Sequence, residues 1–167
     1  MSGSPGSAAP GALAMVVDDD STMRLMLQST LAKAGLRTAA FADGRSALAA
    51  FESLGPDLVL LDIGLPDADG CTVCNTLRSL PGGRDTPVLM LTGRDDAASV
   101  ERSFVAGATD FIAKPINWEI LVHRVRYILR LDLRVIRQPD RLNLELDRIA
   151  VDLLRSHRCC HLNLLVR

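Results

Sequence analysis

Several features that would direct a chain to a membrane, to the secretory pathway or to nucleic acid are missing from this sequence. No apolar run reaches the roughly 18 residues that a membrane-spanning helix needs. Residues 1–11 carry neither the basic nor the apolar segment of a secretory signal. The formal net charge of −1 gives no bulk attraction to nucleic acid or to an anionic membrane. We therefore expect a cytoplasmic protein with no direct contact to nucleic acid or membrane, and a disordered leader, rich in Ser, Gly and Pro, over residues 1–12.

Cysteine is limited to four positions, two of which form the C-x-x-C pattern Cys71-Thr-Val-Cys74. A redox motif of this kind opens a helix directly after a strand, whereas this one follows a loop. We interpret these two thiols as small apolar groups that face the core. The other two, Cys159 and Cys160, lie among histidines, but adjacent cysteines rarely serve one tetrahedral zinc site. Four reduced thiols fit a reducing cytoplasm.

What is present is a regular alternation of short apolar runs and helical patterns. Continuous apolar strands joined by helices are typical of a parallel sheet that is covered by helices on both faces. The pattern therefore predicts an α/β domain of five strand–helix units over residues 13–131. Predicted strands occupy residues 14–17, 37–41, 57–61, 87–91 and 109–113, and predicted helices occupy residues 21–34, 45–54, 71–80, 96–106 and 117–131.

Polar residues follow four of these five strands. Three aspartates, Asp18–Asp20, follow the first strand, Asp62 the third, Thr92 the fourth and Lys114 the fifth. Lysine is otherwise found only at position 33, so its presence at a strand end is conspicuous. In parallel α/β sheets, ligands bind at the carboxyl ends of the strands, and we expect these side chains to converge there.

The chemistry of such a cluster is specific. Clustered carboxylates need a cation to be ionised together, and an all-oxygen site that shares phosphate oxygens suits Mg²⁺. A carboxylate can also accept a phosphoryl group covalently, while a lysine and a hydroxyl bind its oxygens. Each residue alone has an ordinary alternative, such as a helix cap for Asp18–Asp20 or a turn for Asp62. Their joint spacing on five ordered units favours a phosphoryl-transfer site.

Four segments carry a resemblance to a known family: Val16–Ser21, Leu60–Gly70, Leu91–Gly93 and Asp110–Pro115. Over residues 14–131 the chain resembles the receiver domains of two-component response regulators. The resemblance implies a flavodoxin-like, doubly wound (βα)5 fold with a five-stranded parallel sheet in the order 2-1-3-4-5. It also implies a non-enzymatic signalling domain that takes a phosphoryl group, with Mg²⁺, from a histidine kinase or a histidine phosphotransfer protein.

The resemblance assigns roles to individual residues. Asp62 is the phosphoacceptor. Asp19 and Asp62 contact Mg²⁺ directly, Asp18 does so through water, and the carbonyl of Gly64 completes the protein ligands. The next aspartate, Asp20, is expected to cap the first helix.

Other residues are expected to sense and transmit the phosphoryl group. Thr92 and Lys114 bind its oxygens. Phe111 occupies the aromatic switch position of the family, so that Thr92 and Phe111 form the switch. The face formed by the fourth helix, the fifth strand and the fifth helix, which carries Asp110, Arg124 and Arg126, is the expected homodimer contact.

The output of the protein is left open by the sequence. The segment 114–130 resembles receivers fused to cyclic-di-GMP synthesis and hydrolysis domains, but no such domain follows in these 167 residues. Residues 132–167 form an extension or a truncated linker, and their apolar pattern fits either an amphipathic helix or a hairpin. The chain is therefore either a module that works through protein contacts or the input half of an enzyme or DNA-binding regulator.

Overall fold

The structure of the chain is a computed structural model that describes residues 11–93, 101–102 and 104–137. The chain separates into two compact units, residues 1–129 and 130–167, and the architecture below belongs to the first apart from the end of its last helix. The predicted leader up to residue 10, the Cys159–Cys160 pair and the alternatives for residues 140–153 lie outside the described residues. In the described part of the chain, no helix is both long and apolar enough to cross a membrane.

Strands and helices alternate along the first unit as the apolar pattern predicts. Residues 101–102 and 104–105 are helical and are the described part of a helix α4 between the fourth and fifth strands. The other elements are β1 (Leu13–Val17), α1 (Ser21–Lys33), β2 (Arg37–Phe41), α2 (Gly44–Leu54), β3 (Leu58–Asp62), α3 (Gly70–Arg78), β4 (Val88–Thr92), β5 (Asp110–Ala113) and α5 (Trp118–Arg137).

The five strands form one parallel sheet in the order β2-β1-β3-β4-β5. This order confirms the predicted doubly wound fold. Within the sheet, β2 lies next to one edge of β1, whereas β3, β4 and β5 follow in order from the other edge of β1. The carboxyl ends of β1 and β3 therefore flank the point where the winding reverses, which is where such sheets open a crevice.

The core lies on both faces of the sheet, which explains why the strands are continuous apolar runs. Side chains alternate along β1: Ala14 and Val16 pack with α1 and α5, whereas Met15 and Val17 pack with α2 and α3. Cys74 is fully buried in the second of these clusters, and burial raises the pKa of its thiol. The prediction that Cys74 packs as a core residue is thus confirmed.

The helices begin next to the polar strand ends because an aspartate caps each of the first three. Asp20 accepts hydrogen bonds from the backbone of Thr22 and Met23 at the start of α1, as predicted. Asp43 caps α2 and Asp69 caps α3 in the same way. A carboxylate at this position satisfies amides that have no partner within the helix, so these caps fix where each helix starts relative to the sheet.

Candidate phosphoryl-transfer site

The polar residues predicted from the sequence lie together at the carboxyl edge of the sheet. Asp62 is the last residue of β3, Thr92 is the last residue of β4, and Asp18 and Lys114 follow β1 and β5 directly. Parallel registration aligns these ends, with Asp62 opposite Leu91 and Thr92 opposite Ala113. Asp18, Asp62 and Thr92 are all buried, although carboxylates rarely are, so each has a strong requirement for polar partners.

Lys114 provides that partner for both buried carboxylates. Its Nζ lies 2.9 Å from Oδ2 of Asp18 and 2.9 Å from Oδ2 of Asp62. Burial raises the pKa of Asp18, although the hydrogen bond from Lys114 opposes this effect. Burial alone would lower the pKa of Lys114, but hydrogen bonds to the two carboxylates outweigh it and leave that pKa raised. Lys114 therefore stays protonated and ties β5 to β1 and β3.

Three carboxylates form a cluster that suits a hard divalent cation. Asp18, Asp19 and Asp62 each offer an oxygen within 4.8 Å of the others. Asp18 already uses Oδ1 to accept from the amide of Asp20 and Oδ2 to accept from Lys114. Asp19 is exposed, and its carboxylate makes no hydrogen bond or ion pair among the described residues. An oxygen-only set that is open to solvent fits Mg²⁺, which keeps several of its waters.

The loop after β3 passes close to the Asp62 side chain. A Cβ atom added to Gly64 would lie 4.0 Å from Oδ2 of Asp62, and Gly64 is paired with Asp69 across this loop. At the far end of the loop, a Cβ on Gly70 would lie only 2.2 Å from the carbonyl oxygen of Asp62 and 2.7 Å from Cα of Ile63. The start of α3 is thus packed directly against the end of β3. This role of Gly70 was not predicted from the sequence, although the Asp-Gly pair at the helix start could have suggested it.

Thr92 presents a buried hydroxyl at the end of β4. Its Oγ1 finds no hydrogen-bond partner among the described residues, and the whole residue is 1% exposed. A buried polar atom in this condition costs stability, so its position requires an explanation. An oxygen-rich anion bound between Thr92 and Lys114 would supply the missing acceptor.

Phe111 lies partly buried on β5 beside the described part of α4. Its ring meets that of Phe104 edge to face, with centroids 5.8 Å apart and planes at 87°. It also packs on the core cluster that contains Met90. The predicted switch pair, Thr92 and Phe111, therefore belongs to adjacent strands, because β4 pairs with β5 and Met90 is opposite Phe111.

Two further arginines near the site were not singled out from the sequence. Arg24 donates from Nη1 to the backbone carbonyls of Asp18 and Asp19. Arg102, in the described part of α4, lies 3.2 Å from Asp69, the cap of α3. Neither stands out in the sequence because an arginine on a helix is most often a solvated surface residue.

Comparison with known proteins agrees with this geometry. The model of the response regulator receiver domain family matches residues 14–126. The DNA-binding response regulator MtrA of Mycolicibacterium paratuberculosis is 44% identical over 116 residues, which are 70% of this chain and 50% of MtrA. The chain thus spans about half the length of the curated relatives it matches.

Solved structures give the same result. The chemotaxis protein CheY4 of Vibrio cholerae aligns over 70% of this chain and 98% of its own, with a TM-score of 0.67 and 31% identity. The receiver domain of NtrX from Brucella abortus aligns over 70% of this chain and 98% of its own, with a TM-score of 0.66 and 30% identity. The chain belongs to the response regulator receiver domain family of two-component signalling systems.

Proposed function

We propose that Asp62 is the phosphoacceptor, which takes a phosphoryl group from a phosphohistidine of a histidine kinase or a histidine phosphotransfer protein. The observation that carries this proposal is the position of the Asp62 carboxylate. It lies 2.9 Å from Lys114 and within 4.8 Å of two further carboxylates, and the adjacent strand β4 ends at Thr92, whose hydroxyl finds no partner among the described residues. Of the three clustered aspartates, Asp62 is the one at the end of a strand in the centre of the sheet, flanked by β1 and β4.

The transfer is a displacement at phosphorus. A carboxylate oxygen of Asp62 attacks the phosphorus atom, the P–N bond to the imidazole breaks, and its electron pair remains on that nitrogen, which takes a proton. The product is an aspartyl phosphate and a neutral histidine. Lys114 and Thr92 bind the phosphoryl oxygens, so Lys114 exchanges its contact with the bare Asp62 carboxylate for one with the phosphoryl group.

Mg²⁺ is the cofactor that we propose for this step. Asp19, Asp62 and the carbonyl of Gly64 would hold it directly, and Asp18 would do so through water because both of its oxygens already accept hydrogen bonds. When bound, the cation neutralises charge on the carboxylates and on the phosphoryl oxygens. Because Asp19 is exposed, the ion can enter from solvent.

The proposal is tested by incubating the protein with a small phosphodonor, such as acetyl phosphate, with and without Mg²⁺. We expect one phosphoryl group per chain, seen as a mass increase of the intact protein, only in the presence of Mg²⁺. Asp62→Asn should abolish the increase. The matched control is Asp57→Asn at the opposite end of β3, where Asp57 accepts from the amide of Leu13. An undiminished mass increase in the Asp62 variant would refute the assignment.

We propose that the signal leaves as a homodimer contact on the α4–β5–α5 face. Asp110 and Arg124, which were expected to meet a partner, instead pair with each other within the chain at 2.6 Å. Arg126 was also assigned to this face, but it lines a groove with α1 residues, so that assignment was wrong. The elements of this face also carry exposed apolar side chains: Phe104, Ile120 and Tyr127 are 50%, 48% and 44% exposed. Ile120, Arg124 and Tyr127 share one side of α5, and Arg124 fixes that side against β5.

Sedimentation with and without beryllofluoride, a phosphoryl mimic, tests the dimer. We expect the mimic to promote a dimer in the wild type, and Ile120→Asp to prevent it. Leu25→Asp on α1, at a side chain that is 68% exposed, is the matched control and should still dimerise. A coupling of about 1–3 kcal/mol between the mimic and dimerisation is expected. A monomer that ignores the mimic would show that the signal leaves by another surface.

The output of the whole protein is also a proposal. MtrA, which is named as DNA-binding, is twice as long as the segment it shares with this chain. This favours a DNA-binding regulator over a cyclic-di-GMP enzyme as the longer protein to which such a receiver would belong. We propose that the receiver itself turns over nothing except its own aspartyl phosphate and works in the cytoplasm. Reading the coding sequence beyond Arg167 tests the proposal of a DNA-binding output, and cell fractionation tests the proposed cytoplasmic location.

A further inference from the structure

Arg24 lies in the first turns of α1 and reaches back over the acidic loop that carries two of the clustered carboxylates. Its Nη1 donates to the carbonyl oxygen of Asp18 at 2.7 Å and to that of Asp19 at 2.8 Å. The backbone amide of Arg24 also donates to the carbonyl of Asp20 at 2.9 Å. One residue therefore contacts the carbonyls of all three consecutive aspartates.

The side chains of Asp18 and Asp20 fix the two ends of the acidic loop, and Arg24 holds the backbone between them. The strand ladder ends at Val17, and the amide of Asp18 makes one further bond to the carbonyl of Phe41 at 3.2 Å. The carboxylate of Asp19 is exposed and makes no hydrogen bond among the described residues. Its direction therefore follows from the backbone of residues 18–20, which Arg24 holds.

The shape of the Arg24 guanidinium suits its contact with the carbonyls of Asp18 and Asp19. A single planar group with several donors can bridge two adjacent carbonyls. Groups that orient metal ligands without touching the metal commonly change metal affinity by about 10–100-fold when they are removed.

We propose that Arg24 is a positioning residue that holds the Asp18–Asp19 loop in its metal-binding conformation and so sets the affinity of the site for Mg²⁺. The proposal deepens the function given above and rests on Mg²⁺ binding at the acidic cluster. Arg24 does not touch the phosphoryl group. Its removal changes how much Mg²⁺ the site needs and leaves the rate of phosphoryl transfer at saturating Mg²⁺ unchanged.

The test is a Mg²⁺ titration of the purified protein by calorimetry, without phosphodonor. We expect Arg24→Met to weaken Mg²⁺ binding by on the order of 10-fold and Arg24→Lys to recover part of that loss, because an ammonium can donate to the same carbonyls. The matched control is Arg37→Met, which removes an arginine bonded to the carbonyl of Gly11 at the other end of the sheet and should leave the affinity unchanged. If Arg24→Met does not fold, Arg24→Gln takes its place, with the same expected direction.

A second measurement separates positioning from a general structural defect. With acetyl phosphate, the Arg24 variant should need about 10 times more Mg²⁺ for half-maximal phosphorylation and reach the wild-type rate at saturation. An unchanged Mg²⁺ affinity in the variant, or a lower rate at saturation with an unchanged Mg²⁺ requirement, would overturn the proposal. If Arg24→Met weakens Mg²⁺ binding but the wild type itself is never phosphorylated, the role of Arg24 is supported and the acceptor function of Asp62 is refuted.

Discussion

Thr92→Val should make the protein more stable and at the same time insensitive to a phosphoryl group. The hydroxyl of Thr92 is buried at the end of β4 and finds no partner among the described residues. Valine has nearly the same shape and favours strands, so the substitution replaces the unsatisfied hydroxyl by a methyl group without disturbing β4. The destabilising feature is removed together with the group that we expect to donate to the phosphoryl oxygen.

The expected stabilisation follows from the cost of a buried polar atom. Leaving a buried donor or acceptor without a partner costs about 1–3 kcal/mol, while an added buried methyl contributes roughly 0.8 kcal/mol. Taking the lower end of this range, we expect a gain of about 1 kcal/mol in the free energy of unfolding. For a domain of this size that corresponds to a rise of roughly 3 °C in Tm.

Urea denaturation of the unphosphorylated protein measures the stability, and the shift of Tm on adding beryllofluoride with Mg²⁺ measures the response. Thr92→Ser is the opposite control, because it keeps the hydroxyl and loses a buried methyl. It should be less stable by about 1 kcal/mol yet keep its response. A Thr92→Val variant that is destabilised by more than about 1 kcal/mol would show that the hydroxyl has a stabilising partner before phosphorylation. A full response in that variant would refute its role as a donor.

Two further predictions concern the loop after β3. Gly70→Ala should destabilise the protein by about 1–3 kcal/mol and slow phosphorylation of Asp62, because the new Cβ would meet the Asp62 backbone at 2.2 Å. Gly64→Ala is the control, since the atom nearest to its new Cβ is 4.0 Å away. Equal urea midpoints for the two variants would contradict this reasoning. Asp67 accepts from the first two amides of α2, and these hydrogen bonds hold its pKa below the ordinary 3.8, so its stabilising effect is present above that pH and is lost as the pH falls below it. Asp67→Ala should therefore destabilise the protein at pH 6 and much less at pH 3, and a difference that is the same at both pH values would contradict the assignment.

The site could be predicted from sequence because its residues follow the strands directly. An apolar run that ends in Asp62 or Thr92 states both where a strand lies and what stands at its carboxyl end. The order of the strands brings those ends together, so no long-range contact had to be guessed residue by residue. The strand limits differed from the prediction by about one residue, because apolar runs do not mark their ends sharply.

What could not be predicted depends on side chains that span several elements. The guanidinium of Arg78 joins the carbonyls of Gly83, Thr86 and Gly107, yet in the sequence it is only a basic residue in the last turn of a helix. The same is true of Arg24.

The placement of Arg126 was wrong because a difference of two positions from Arg124 turns the side chain to another side of α5. The end of α5 was predicted at residue 131, whereas the helix runs to Arg137 because no breaker occurs before Pro139.

The direct test of the central claim is to locate the phosphoryl group. Borohydride reduces an aspartyl phosphate to homoserine and leaves ordinary aspartate intact. After incubation with acetyl phosphate and Mg²⁺, reduction and peptide mass spectrometry should find homoserine at position 62 and nowhere else. Homoserine at Asp18 or Asp19, or no homoserine in a folded protein that binds Mg²⁺, would contradict the account.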